Sequence, residues 1–351
     1  MASRRSFIAG MLAAGLVPKP TWAEAGNPAF LSAAMKPDGS YVLCGLSEYG
    51  AITFEIALPD RGHAAAANPT LPEAVAFARR PGTYAIVLDC RTGQTKARLD
   101  APVGRHFYGH GTFSADGSLL FTTENDYDAA AGIIGLWDVR NKYARLGEFS
   151  SGGIGPHDIK LMPDSETLVV ANGGIETHPE TGRTKLNLPF MRSNLSYLAL
   201  DGVIKAQVEL APEHQLNSMR HLAVSDRGDV AFAMQWQGDL TDNLQLLGVH
   251  SLSRRHLQLY DDSSVRTMQG YLGSIAFNSD TNQIATTSPR SGVVQVFGAD
   301  GLIRSTNLAD VCGVATNRAG FVITTGAGIV RAFEKGDTTH QLAWDNHLIE
   351  I

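Results

Sequence analysis

Eleven histidines are spread along a chain of 351 residues, and five of them stand in related phrases. They are His63 in RGHAAAANP, His110 in YGHGTFSADGS, His157 in GPHDIKLMPDS, His221 in MRHLAVSDRG and His347 in DNHLIEI. Each opens a short run that reads as a strand, and three of the runs end in an Asp-containing turn, ADG, PDS or DRG. Neutral imidazole is the commonest protein ligand for zinc, copper and iron. Five imidazoles around one space would be a transition-metal site, if a fold brings together positions so far apart in sequence.

The elements between them point to such a fold. LLFTTE, GIIGLWDV, TLVVANGG, LSYLAL, DVAFAMQW, QIATTS, GVVQVFG, GFVITTG and GIVRAFE are short runs rich in Val, Ile, Thr, Phe and Leu. Gly, Asp, Asn and Pro punctuate them, and no stretch carries an amphipathic helical period. His63, His110 and His157 follow one another at equal intervals of about forty-seven residues. That is the length of four strands with their turns, one blade of a propeller. Continued, the register falls at His221, near Gly273, near Cys312 and at His347, which gives seven blades. The longer interval after His157 holds a loop insertion, IETHPETGRTKLNLPFMR, between the second and third strands of its blade.

The same count predicts how the ring closes. Only three strands, AFLSAAM, YVLCGL and AITFEIAL, precede His63. The missing inner strand is HLIEI at the C-terminus, and pairing it with the N-terminal blade removes an open sheet edge. The competing register takes AAMKPDGSYVLCG as the first inner hairpin. The expected fold is therefore an all-β, seven-bladed propeller closed by its last strand.

In that fold the first residue of each inner strand sits at one mouth of the central channel. His63, His110, His157, His221 and His347 should converge there as metal ligands, with Gly273 and Cys312 in the two remaining positions and the Cys312 thiol as a possible addition. Asp158 and Glu124 are expected as partners for the outward imidazole nitrogens. Proton competition for the ligands should set in near pH 6.5. Arg105, His106 and Arg220 flank the ring positions and are candidate cofactor-binding residues, with paired donors for an anionic group. Glu176, His178, Asp126, Asp128, Gln235 and Trp236 are expected on the same face. The competing reading is structural: in WD-type propellers a Gly-His pair braces the blade. RGH and YGHG fit that pattern, while GPH, MRH and DNH fit it poorly. His214, His250, His256 and His340 read as solvated or locally bonded.

Composition narrows the rest. A net charge of −6 gives no basic face for nucleic acid. Three cysteines form no disulfide framework, and Cys44 and Cys90 are not expected to pair. Phosphate loops, nucleophile elbows and c-type haem motifs are absent from the sequence, which leaves a non-enzymatic role favoured; an enzyme here would be a metal-dependent oxidoreductase. Arg4, Arg5 and Phe7 in SRRSFIAGMLAAGLV, followed by the small residues AEA, read as a twin-arginine export signal over residues 1–25. Residues 26–351 would then be a single propeller in the periplasm, expected to be a monomer with no transmembrane segment.

RGHAAAANP, GRHFYGHGTFS, GIGPHDIKLMPD, VVANGGIETHPETGRTKLNL, SMRHLAVS, QWQGD and TTSPRSG together resemble the bacterial domain-of-unknown-function family 1513. The resemblance covers nearly the whole expected mature chain. It implies an exported seven-bladed propeller whose gene neighbours are imelysin-like proteins and di-haem oxidoreductases, and so a part in iron acquisition with periplasmic partners. It implies no reaction and no catalytic residue. The favoured expectation is a periplasmic iron-binding propeller. The alternatives are a copper or redox site, similar in geometry to the His-lined propeller mouth of nitrous oxide reductase, and a metal-free adaptor for partner proteins.

Overall fold

A computed structural model describes residues 20–351 except 80, 81, 243 and 334. The arginine pair of the expected leader lies outside the described residues. Seven sheets of antiparallel strands form the chain, six with their strands in sequence order from inside to outside and the first with its inner position filled by C-terminal segments. The inner strands of blades 2 to 7 are Gly62–Ala67, Arg105–Phe113, Pro156–Leu161, Asn217–Val224, Ser274–Asn278 and Val311–Asn317. Successive inner strands lie side by side around the channel. The described residues contain short 3-10 turns but no α-helix, and no helix is long and apolar enough to cross a membrane.

The three inner strands of a blade are covered on both faces, so they read as nearly unbroken apolar runs, as in Thr167–Asn172. The outermost strands alternate, as in Ile204–Glu209, because one face meets water. Seven apolar clusters fill the seven gaps between blades. Val75, Phe77 and Val87 of blade 2 meet Phe107, Leu120 and Trp137 of blade 3. Phe30, Cys44 and Leu46 of blade 1 meet Ala315, Val322 and Val330 of blade 7. The Asp turns are stiffened locally. Asp116 accepts hydrogen bonds from Ser114 Oγ and from Ser118 N and Oγ, and these bonds, that from Ser114 foremost, hold its carboxyl down at about 2.

Ring closure is as expected. Leu31 pairs with Ile349 and Phe30 with Glu350, while Ala34 pairs with Trp344 and Met35 with Ala343. The hairpin of Phe30–Met35 and Tyr41–Leu46 exists too, but as the second and third positions of its sheet. The C-terminal segment is tied to three blades. Ser32 Oγ donates to the His347 carbonyl, Arg61 Nε meets Asp345 at 2.6 Å, and the Glu350 carboxylate accepts from Thr316 N and Oγ1. Residues 173–193 form the inserted loop after Thr167–Asn172. Trp22–Ala25, within the span expected for the leader, form a 3-10 turn on the propeller: Trp22 Nε1 donates to the Asn68 carbonyl at 2.9 Å, and Ala25 is buried.

Deleting His347–Ile351 exposes the Phe30–Leu31 part of the inner edge and removes the bonds to Ser32 and to Thr316 of blade 7. The truncated protein is expected to melt lower by roughly 5 °C or more and to self-associate. Differential scanning calorimetry with analytical ultracentrifugation measures both; a truncated protein that melts and sediments as the full chain does would show that closure contributes nothing.

Candidate metal centre

The strand register, rather than strand ends, aims the histidines. The inner strands pair with their neighbours above and below each histidine, so the histidines are not first residues as the sequence suggests. They stand at or beside irregularities. His63 and Ala64 are opposed to a single residue between the pairs Gly62↔Ala78 and Ala65↔Ala76. Tyr108, Gly109 and His110 bulge between Phe107↔Glu124 and Gly111↔Thr122. His157 is itself the extra residue in its strand, and Arg220 is the extra residue just before His221. In blade 1 the four residues Asp345, Asn346, His347 and Leu348 separate the two paired segments. Bulges bend a strand and re-aim a side chain, and here five of them turn imidazoles to the axis. Gly109, at φ 97°, makes the close approach possible, since a Cβ there would lie 2.5 Å from His63 Cδ2.

The five rings form one cluster. Ring centroids lie 4.6 Å apart for His63 and His347, 4.8 Å for His110 and His347, 5.1 Å for His110 and His157, and 4.7 Å for His157 and His221. Two overlapping triads, His63–His110–His347 and His110–His157–His221, each bring one nitrogen per residue within 4.8 Å of the others and could hold a metal ion. Nitrogens around a tetrahedral ion lie about 3.4 Å apart, so small side-chain rotations would close either triad.

Two rings have an outward hydrogen bond that fixes them. His110 Nδ1 lies 3.3 Å from Asp158 Oδ1, and His157 Nδ1 lies 3.1 Å from the Arg220 carbonyl, which requires it to donate. Asp158 is itself held by the amides of Ile159 and Leu222. Burial pushes its carboxyl up, but the Lys160 charge and the contact with His110 outweigh this and keep it well below the usual range. Four other nitrogens, His63 Nδ1, His110 Nε2, His221 Nδ1 and His347 Nε2, are buried with no hydrogen-bond partner. A brace makes hydrogen bonds, so the Gly-His bracing pattern accounts for the outward nitrogens of His110 and His157 and not for these four.

Not all expected neighbours reach the ring. Glu124 is fully buried in a fork with Arg145, at 2.8 and 2.9 Å, and does not support an imidazole. Arg105 is engaged by Glu148, with Asp126 at 3.4 Å. The His106 ring contacts Asn125 Nδ2 and the Phe107 carbonyl, each at 3.1 Å. Neither Arg105 nor His106 lines the cavities over the ring, whereas Arg220 does. Cys312 is in neither triad: its thiol donates to the Asp310 carbonyl, and burial pushes it up to about 12. Gly273 immediately precedes a regularly paired strand with no bulge, Ser274–Asn278. His178 meets Asp128 at 3.3 Å, away from the ring. His250 bonds Tyr197 Oη and the Arg254 carbonyl, and His340 bonds the Gly50 carbonyl, both structural as expected. All three cysteines are free. Sequence reasoning missed Arg79, Arg183, Lys185, Tyr271, Arg290 and Asn346, which line the cavities above the ring. Arg183, Lys185 and Arg290 lie inside quoted motifs, GRTK and SPRSG, but nothing in their spacing announces the shared direction.

Burial, and then the neighbouring imidazoles and basic side chains, push His63, His157 and His347 well below the ordinary value, and His221 down to about 3. In the unfolded chain each of these takes a proton near 6.5. Below that pH the unfolded state binds more protons than the folded one, so stability falls with falling pH, over a window that opens at about 6.5 and reaches about 3 for His221. The melting temperature of metal-free protein is expected to drop steadily between about pH 6.5 and about pH 4.5. The uncharged His221→Asn variant should show a flatter profile, and a wild-type profile already flat across this range would contradict neutral His63, His157, His221 and His347.

No curated protein matches the sequence. Among solved structures, the chain is similar to one of Kuenenia stuttgartiensis hydrazine synthase, with a TM-score of 0.61 and 13% identity over 96% of this chain and 98% of the other. At that identity the likeness speaks for the fold alone. Residues 56–351 match the family described as "Protein of unknown function (DUF1513)". That stretch holds all five ring histidines, and the chain belongs to this family.

Proposed function

We propose that this protein is a periplasmic transition-metal-binding propeller in which the histidine ring holds the ion. The observation that carries this reading is the set of four buried imidazole nitrogens without a hydrogen-bond partner. An unsatisfied buried polar group costs about 1–3 kcal/mol, and a cluster of them is a standing penalty unless something accepts their lone pairs. A transition-metal ion is the partner that suits several neutral imidazoles at once. Asp158 and the Arg220 carbonyl supply the outward contacts that set tautomer and ring orientation in metal sites. The bound ion would act as a Lewis acid held by nitrogen; the chain's own part is to keep the imidazoles neutral, aimed and dry.

Iron is the proposed metal, in the service of iron acquisition, on the strength of the family resemblance. A copper or redox role is the second reading. It is favoured by the donor set, since neither triad contains a carboxylate and copper stands highest among divalent ions for nitrogen ligands. Export by the twin-arginine route rests on Arg4, Arg5 and Phe7.

Single His→Ala changes at His63, His110, His157, His221 and His347 are expected to lower metal content measured by elemental analysis of protein purified from the periplasm. Double changes within one triad should abolish it while the circular dichroism stays that of a β-propeller. Asp158→Asn should weaken affinity roughly 10–100-fold. Full metal content in all five single variants would refute the site, and the element recovered decides between iron and copper.

The pair Arg4→Lys with Arg5→Lys is expected to leave unprocessed precursor in the cytoplasm, because the receptor reads the two guanidinium groups and not charge alone. Immunoblots of cell fractions report this. Normal processing of the double variant would assign export to the general secretory route, and N-terminal sequencing of the mature chain shows whether Trp22 is retained.

A further inference from the structure

Above the ring lie two adjoining cavities of about 230 and 580 Å³, which share Arg183, Lys185, Arg220, Gln235, Tyr271 and Asn346 as walls. The smaller one is floored by His63, His157, His221 and His347 and adds Arg79; the larger adds Arg290 and Trp236. Five cationic side chains therefore surround the approach to the ring from this side, and among the described residues no carboxylate lines either cavity. Asp345 lies 3.6 Å from Arg79 Nη1 and is already engaged by Arg61 at 2.6 Å. The Arg290 guanidinium carbon lies over the Tyr271 ring, 4.4 Å from its centroid, and this contact helps to hold the side chain at the cavity wall. The charges are close enough to be felt: Lys185 is lowered by burial and then by Arg220 and Arg290. Arg220 belongs to both levels, because its carbonyl holds His157 while its side chain lines the cavities.

This arrangement is hostile to a bare hydrated cation and favourable to an anion. The imidazoles contribute no negative charge and Asp158, behind His110, contributes only one, so an ion bound there beside five cationic side chains leaves the region positive. An anion that fills the vestibule supplies both charge balance and further oxygen ligands. The combined space suits an organic molecule rather than a single inorganic oxyanion, and arginine forks suit carboxylates. We infer that the vestibule binds a small organic polycarboxylate, and that metal reaches the ring as, or is capped by, such a complex. The second half of this inference deepens the metal reading and rests on it; the first half does not.

The test uses the full mature protein and citrate as probe, by isothermal titration calorimetry, first on chelator-treated protein and then on protein loaded with iron. Metal-free wild type is expected to bind citrate, and Arg183→Ala with Lys185→Ala to weaken it about tenfold or more, with Arg290→Ala acting in the same direction. Loaded protein should bind citrate more tightly than metal-free protein. Inorganic phosphate is the second probe and should bind more weakly than citrate. Citrate binding that is absent, or unchanged in the double variant, overturns the vestibule assignment even if the ring binds metal. Citrate binding to a protein that takes up no metal upholds the vestibule and overturns the metal reading instead. Phosphate binding as tightly as citrate overturns the polycarboxylate class. Circular dichroism and melting temperature identical to wild type show that the surface variants remain folded.

Discussion

Everything in this molecule depends on the pairing of its last residues with its first strand. Leu31↔Ile349 and Ala34↔Trp344 supply the inner edge that the N-terminal blade lacks. The gap between these two pairs carries His347 to the axis, so one contact closes the ring and completes the site. Asp345, clamped by Arg61 and facing Arg79, fixes the gap from blade 2, and Glu350 fixes the end against Thr316 of blade 7. A Cβ on Gly313 would meet Leu348 N at 2.6 Å, which shows how closely blade 7 and the C-terminal segment approach.

The second constraint is the price of placing five imidazoles in a dry space. His63, His157, His221 and His347 are held neutral, because protonation of one is opposed by burial and by its neighbours. Neutral imidazoles keep lone pairs, and lone pairs without protons to accept are a cost. The bulges at the inner strands are what impose this arrangement. Blade 6 has no bulge and contributes Gly273, and blade 7 has a bulge that turns Cys312 toward the Asp310 carbonyl. The site is therefore five-sided in a seven-bladed ring, with its open sector defined by backbone irregularity as much as by residue type.

Charge is sorted between levels. Acids near the inner strands are consumed in pairs between or within blades, as Glu124 is by Arg145, or serve a histidine, as Asp158 does. The arginines and the lysine above the ring face a cavity without carboxylates. An overall charge of −6 thus conceals a strongly cationic recess, because the acids lie elsewhere on the chain.

The blade period, the count of seven, the inserted loop and the C-terminal closure were all legible in the sequence. A repeat length and a three-strand remainder leave few topologies, and a strand edge must be paired. The five ring histidines were legible for the same reason: equivalent positions in a closed repeat converge whatever their side chains do. Only the tertiary structure decided where neighbouring side chains point. Strand residues alternate faces, so one extra residue at a bulge reverses every assignment beyond it. That is why Arg105, His106 and Glu124, near the ring in sequence, turn to partners of their own, while Arg220, the bulge residue itself, lines the recess. It is also why Arg183, Lys185 and Arg290, from two loops about a hundred residues apart, could be recognised as one surface only after the blades had been set around the axis.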